Sequence, residues 1–335
     1  MSKRAVLRVD FGDTVGFGHF SRCIALAEKL FSNNIELWII SSNDSINIPS
    51  MISQKFRHQI FANMDDLNRI LHKISPNIFI VDLLEQNSTT TEKIIIKHFV
   101  LSSKVSICFD NYFSEEIPFD FFIGPKFLSN VETQNRLEGL QYILFRDTFL
   151  AQRKISRFIN RNSSVLISLG NLDPFNISHS LVTLLIDLID SSELHVIIGS
   201  SFSESNKKCL RELEKKFDNV NIVFNETDLS GYFGNCDIAI VSGGQSKFEA
   251  SFLGSYPMII ANSDEEIDAG CTYDDHELGT FLGAARDFDP IMVSQKIAFV
   301  LDNPEIVMQR RQAAFQKLDG CGGERIVQKL TKLYE

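Results

Sequence analysis

The residues best suited to chemistry lie in one stretch near the N-terminus, Arg8-Val9-Asp10-Phe11-Gly12-Asp13-Thr14-Val15-Gly16-Phe17-Gly18-His19, which continues into Phe20-Ser21-Arg22-Cys23. Glycines at 16 and 18 open backbone conformations closed to other residues and let a ligand reach the main chain. A helix starting near His19 presents unpaired N–H groups and a positive dipole end to that ligand. Imidazole ordinarily titrates near neutrality, so a histidine there can move a proton at cellular pH. The stretch reads as a catalytic loop for an anionic substrate, with His19 transferring the proton and Arg8, Asp13, Gly16, Gly18 and Arg22 against the substrate. Asp10 has three readings: it orients His19 as a second catalytic residue, pairs with Arg8, or caps the helix.

Two more glycine-bearing turns follow apolar runs in the second half of the chain. One is Ser168-Leu169-Gly170-Asn171-Leu172-Asp173-Pro174, the other Val241-Ser242-Gly243-Gly244-Gln245-Ser246-Lys247-Phe248-Glu249. Each is expected to bring backbone N–H groups and a helix N-terminus to a cleft, an arrangement suited to a diphosphate. Gly170, Asn171, Asp173, Gly243, Gly244, Gln245 and Ser246 are the nucleotide-binding candidates, with Ser246 capping its helix. Glu249, one turn inward, would hold ribose hydroxyls. Taken singly, each turn is also an ordinary strand-to-helix connection. The other histidines, at 58, 72, 98, 179, 195 and 276, have no ligand spacing, and no pair of cysteines makes a C-x-x-C, so no metal site is expected.

Alternating apolar strands and helical periods must position these loops. The pattern predicts strands at 5–10, 37–41, 78–83 and 105–110, with helices at 19–32, 65–74 and 90–101. Cys23, Ile24, Ala27, Leu30 and Phe31 share one face of the first helix. A last strand is expected at 142–145 and a partly helical basic linker at 151–163. The pattern restarts with strands at 165–169, 194–199, 220–224, 238–241 and 257–261 and ends on helices at 304–318 and 323–334. Near-continuous apolar strands suit parallel sheets covered on both faces. The fold expected is α/β: two doubly wound Rossmann-like domains, 1–150 and 164–335, with the ligand cleft between them. The phenylalanines between 109 and 127 read as core packing at the sheet's end.

Composition narrows the function. A chain of 335 residues with 44% hydrophobic and 23% charged residues reads as an ordinary globular protein of two domains. A net charge of −10 argues against non-specific nucleic-acid binding but leaves a local anion site open. Scattered cysteines, no leader after Met1-Ser2-Lys3-Arg4 and no membrane-length apolar run lead us to expect a cytoplasmic protein without stable membrane insertion.

The motifs together resemble a family. Arg8-x-Asp10, Gly16-x-Gly18-His19, Arg22-Cys23, Gly170-x-x-Asp173-Pro174, Gly243-Gly244 with Glu249, and Asp319-Gly-x-Gly322 with Arg325 are similar in order and spacing to the UDP-2,4-diacetamido-2,4,6-trideoxy-β-L-altropyranose hydrolases of pseudaminic acid biosynthesis. Leu144-Phe145-Arg146-Asp147-x-Phe149 resembles that family's element at the end of the first domain. The resemblance implies a GT-B fold related to MurG-type glycosyltransferases, UDP held by the C-terminal half and sugar by the N-terminal loop. It implies that His19 activates a water for inverting attack at the anomeric carbon, with no cofactor. Loop N–H groups would meet the charge on the departing UDP, so no metal is needed. The chain departs from the family at Leu84, where a tyrosine is usual, and at Ala261–Glu266, where an Asn-Gln pair is missing. These departures leave either a different sugar or an acceptor other than water. A glycosyltransferase and a non-catalytic nucleotide-sugar binder are the alternative readings, and the oligomeric state is left open.

Overall fold

A computed structural model describes residues 3–11, 18–42, 56–83, 88–110, 113, 117–124, 135–155, 164–189 and 192–334. Asp13, Gly16 and Leu84 lie outside the described residues. The chain divides into two compact units, one of 1–147 with 320–335, the other of 148–319. The expected boundaries differ from these in two places. The C-terminal helix falls in the first unit, and the segment leading into the expected linker is a helix of the second, Asp147–Ile155.

In the first unit the chain alternates β1 (Arg4–Val9), α1 (Gly18–Ser32), β2 (Glu36–Ser42), β3 (Arg57–Phe61), α2 (Met64–Ile74), β4 (Ile78–Asp82), α3 (Thr90–Ser102) and β5 (Val105–Phe109), then β6 (Phe121–Ile123) and β7 (Arg136–Leu137). The strands pair parallel in the order β3-β2-β1-β4-β5-β6-β7. The chain runs outward from β1 to one side through β2 and to the other through β4, so the topological switch point lies between β1 and β4. One face of the sheet packs on α1 and on Ile326, Val327 and Leu330 of the C-terminal helix Gly322–Tyr334. The other face packs on Leu67, Leu71, Ile96 and Phe99 of α2 and α3. Phe31, placed on the buried face of α1 by its period, is instead 53% exposed. The apolar run at 142–145 is not a strand: a 3₁₀ turn, Leu140–Tyr142, begins it. Tyr142, Leu144 and Phe145 are buried all the same, which is why a short apolar run alone misleads. Phe109, Phe113, Phe119, Phe121 and Phe122 are buried as core.

The second unit follows α4 (Asp147–Ile155) with β8 (Val165–Ser168), α5 (Ile177–Ile186), β9 (Leu194–Ile198), α6 (Glu204–Lys216), β10 (Val220–Phe224), α7 (Ser230–Asn235), β11 (Ile238–Ser242), α8 (Ser246–Leu253), β12 (Tyr256–Ala261), α9 (Asp264–Asp275), β13 (Thr280–Ala284), α10 (Pro290–Asp302) and α11 (Pro304–Lys317). Its parallel sheet runs β10-β9-β8-β11-β12-β13, with the switch point between β8 and β11. The elements not expected from the sequence are β3, β6, β7, α9, β13 and α10. β3 (RHQIF) and β13 are edge strands with half-exposed residues, and α9 (DEEIDAGCTYDD) has almost no apolar stripe. Among the described residues no helix is long and apolar enough to cross a membrane.

Candidate functional site

Each switch point gathers the candidate residues of its own unit. In the first, β1 and β4 run side by side with Val9 opposite Asp82. Asp82 ends β4 as a fully buried carboxylate, and α1 begins on the other side of the loop after β1. His19 and Arg22 are one turn apart on α1, so both reach Asp82. His19 Nδ1 lies 2.6 Å from Asp82 Oδ1. Arg22 donates from Nε to Asp82 Oδ2 at 2.7 Å and from Nη2 to Asp82 Oδ1 and Asp110 Oδ2, both at 2.6 Å. Cys23 Sγ donates to Asp82 Oδ2 at 3.2 Å.

These contacts fix a tautomer. Arg22 Nη2 also lies 2.9 Å from His19 Nδ1, but its two hydrogens already serve the two carboxylates. The proton between His19 and Asp82 therefore sits on Nδ1, which in the neutral imidazole leaves the lone pair on Nε2. The imidazole is partly exposed, 20% at its side chain, whereas Asp82 behind it is fully buried. Asp82 accepts two bonds on each oxygen and has no acceptor site left. Burial opposes its ionisation, but Arg22 and His19 outweigh that and hold it well below the usual carboxylate range. Burial likewise opposes the Arg22 charge, yet Asp82 and Asp110 raise its pKa well above the ordinary value. Asp110 takes up its place at the end of β5 with φ 52°, a left-handed conformation that aspartate tolerates better than most residues.

Three sequence assignments change here. Asp10 does not orient His19: both its oxygens take Arg8, at 2.6 and 2.8 Å, and Oδ1 also accepts from the Ser42 N–H at 2.7 Å. Arg8 is 2% exposed and held by Asp10 and Glu92, so it braces the strand ends instead of facing a substrate. Arg22 is committed to the two carboxylates. Gly18 opens α1, and a Cβ there would meet none of the described atoms within 4 Å. Asp82 and Asp110 went unselected in the sequence. Their available signal was an aspartate closing each of two apolar strands.

His19, Asp82 and Asp110 also stand close enough to share a metal ion. The donor set does not favour one: Arg22 already supplies the positive charge between the carboxylates, and the lone pairs of Asp82 are filled.

In the second unit the two glycine turns follow β8 and β11, the neighbours at the switch point. Gly170 has φ 94°, and a Cβ on Gly170 or on Gly244 would each stand 4.0 Å from Ser242 Oγ, so the turns converge around that hydroxyl. Both glycines leave space for a ligand, whereas Gly243 does not: a Cβ there would be 2.7 Å from Glu266 Cβ. Gly243 is required for packing against the first turn of α9. Its N–H donates to Glu266 Oε2 at 3.2 Å, and Asn262 N–H reaches the same oxygen at 2.8 Å.

Asn171 and Asp173 serve the scaffold. Asn171 Oδ1 accepts from Ser200 N–H at 3.1 Å and its Nδ2 donates to Ser201 Oγ at 2.9 Å. Asp173 accepts from the Ile177 and Ser178 N–H groups at 2.9 and 2.8 Å, so it caps α5 and occupies the anion-binding end of that helix. Helix α8 differs. Its N-cap is Gln245, with no side-chain cap, and Ser246 is its first helical residue and not the cap. Glu249 is buried in its first turn.

No known family profile matches the chain. It is 25% identical over 292 residues to the uncharacterized protein MJ1062 of Methanocaldococcus jannaschii, covering 78% of this chain and 56% of that protein. It is 19% identical over 198 residues to the spore coat polysaccharide biosynthesis protein SpsG of Bacillus subtilis, covering 59% and 58%. The chain thus spans little more than half the length of the curated relatives it matches. Among solved structures it resembles MurG of Acinetobacter baumannii, with TM-score 0.67 at 10% identity over 99% of this chain and 100% of that one. It also resembles the glycosyltransferase VinC in complex with dTDP, with TM-score 0.67 at 13% identity over 98% and 99%. A third is the UDP-GlcNAc 2-epimerase of Neisseria meningitidis bound to UDP-GlcNAc, with TM-score 0.65 at 11% identity over 99% and 100%. These likenesses establish the GT-B fold of paired Rossmann-like units.

Proposed function

We propose that this protein is a nucleotide-sugar enzyme of surface-polysaccharide or nonulosonic-acid biosynthesis, acting in the cytoplasm, that cleaves the bond between the anomeric carbon and UDP. The observation that carries the reading is the His19–Asp82 pair, a proton acceptor whose tautomer is fixed at the switch point of a doubly wound sheet. His19 Nε2 takes the proton of an attacking hydroxyl as its oxygen bonds to the anomeric carbon. The bond to the β-phosphate oxygen breaks, its electron pair leaves with UDP, and the configuration inverts. UDP is a good leaving group, so a base on the opposite face is the main requirement. The turns at Gly170 and Gly244–Ser246 would meet the diphosphate, Glu249 the ribose, and no metal is called for.

Water as the nucleophile makes the chain a hydrolase of a UDP-linked 2,4-diacetamido-trideoxy sugar, the activity that the motif resemblance implies. An acceptor hydroxyl makes it a glycosyltransferase, a second reading supported by the fold shared with MurG and VinC and by Leu84 in place of the family's tyrosine. Incubation with a panel of UDP-sugars, with and without candidate acceptors and EDTA, separates the two by phosphorus NMR. UDP release without acceptor supports the hydrolase, and release only with acceptor supports the transferase. Binding of UDP with no turnover of any donor would leave a binding protein. Neither binding nor turnover would overturn the reading.

A further inference from the structure

The inference rests on the nucleotide reading of the second unit and concerns Lys247. This side chain, on the first turn of α8, is 3% exposed. Its Nζ donates to the carbonyl oxygens of Gly243 and, at 2.8 Å, of Gly244. A trans peptide holds its C=O and N–H antiparallel. The Gly243 carbonyl shares its peptide with the Gly244 N–H, and the Gly244 carbonyl shares its own with the Gln245 N–H. Drawing both carbonyls inward onto Lys247 therefore turns those two N–H groups the opposite way, out of the buried side of the turn. The preceding N–H, on Gly243, is held by Glu266. The turn is set from both sides, and Gly244 is its open residue.

We propose that Lys247 is the positioning residue of the nucleotide site: it aims the Gly244 and Gln245 amides at a diphosphate, and diphosphate binding draws a proton onto its amine.

The charge environment supports the second clause. Burial pushes the Lys247 ammonium down to about 7, against the opposing pull of Glu266. Charged and neutral forms therefore coexist near neutrality, and an added anion favours the charged form. Facing Lys247 from α9 come Glu266 and Tyr273, whose hydroxyl donates to Ser251 Oγ at 2.7 Å, with the Lys247 carbonyl 3.5 Å away, and whose pKa burial pushes far up. Glu249 lies on the same helix. Arg311, paired with Asp237, sits at the other end of α8 on the Gly254 carbonyl.

Calorimetry with UDP, and separately with inorganic pyrophosphate, on the full chain tests this in two buffers of unlike ionisation enthalpy. For UDP the working range lies above the terminal phosphate's own titration near pH 6; pyrophosphate, which titrates again at alkaline pH, reports affinity at pH 7 alone. An upward shift of the lysine by about one unit on binding predicts uptake of about half a proton per UDP near pH 7.5. It also predicts about fivefold weaker binding at pH 9 than at pH 7. Lys247→Met should bind more weakly at pH 7, take up no proton and show a flat profile. Lys247→Arg, always charged, should keep the affinity and lose the slope. Wild-type protein that binds UDP without taking up a proton, or Lys247→Met with the wild-type profile, overturns the proposal and leaves the nucleotide reading standing. The wild-type buffer comparison decides even if both variants fail to fold. Failure of both UDP and pyrophosphate to bind would overturn the two together.

Discussion

At the switch point of the first sheet the chain gathers polar and charged side chains: His19, Arg22, Asp82 and Asp110, with the Arg8, Asp10 and Glu92 network behind them. At the same topological position in the second sheet it gathers peptide groups, shaped by Gly170, Gly243 and Gly244 and braced by Lys247 and Glu266. The two ends share strand pairing and connection order but differ in what faces the loops. A side-chain site can move a proton, and it depends on buried charges that must be fully paired. A backbone site binds an anion through peptide N–H groups that do not themselves titrate, and it depends on the small size of particular residues.

The largest effect expected is at Asp82. Asp82→Ala leaves the buried Arg22 with Asp110 alone and His19 without its orienting acceptor. We expect a loss of about 3–5 kcal/mol in urea unfolding. Asp82→Asn should fold better, and because it no longer dictates the Nδ1–H tautomer, turnover should fall by a factor of order 10²–10⁴. A variant as stable and active as wild type would break the side-chain half of the comparison.

Glycine substitutions test the other half. Gly243→Ala forces a Cβ against Glu266 and should cost about 1–3 kcal/mol of stability. Gly244→Ala would meet Glu266 Oε1 at 3.4 Å and Ser242 Oγ at 4.0 Å, both ordinary contacts, so stability should hardly change while UDP affinity drops. Equal effects of both on stability would show that the turn is scaffold throughout. Glu249→Ala should weaken UDP by about 1–3 kcal/mol in calorimetry, the cost of losing charge-assisted hydrogen bonds.

In the pH dependence of stability the two ends have opposite signs. Asp82 has a depressed carboxylate pKa, so its contribution is complete above the unfolded value near 4 and fades as pH falls through the folded value. Lys247, brought down to about 7 from an unfolded value near 10.4, loses its proton first in the folded state, so stability rises with pH between those values. Unfolding titrations of Asp82→Asn and Lys247→Met should flatten the acid and the alkaline slopes respectively. The reverse assignment would contradict the electrostatics described.

Much of this was legible in the sequence because its signals are local. Gly170, Gly243 and Gly244 follow apolar strands directly, and Gly18 with His19 opens a helix whose period is plain. What was not legible is non-local. Asp82 lies 63 residues from His19 and becomes its partner only because β4 pairs with β1. Asp10, nine positions away, looked the better partner, but the parallel register hands it to Arg8 and Ser42. Asp173 looked like a ligand to phosphate because capping a helix and lining an anion site call for the same loop position. The roles of Lys247 and Glu266 depend on α9 folding against the glycine turn, and α9 has no periodic signal of its own.

The central claim is a division of labour, with proton transfer in the first unit and nucleotide binding in the second. His19→Ala tests it most directly, with turnover of the UDP-sugar identified by the panel and UDP affinity measured on the same samples. The account predicts that kcat falls by a factor of order 10²–10⁴ while the UDP dissociation constant stays within about twofold of wild type. An unchanged kcat would contradict it, and so would a loss of UDP affinity in step with the loss of rate.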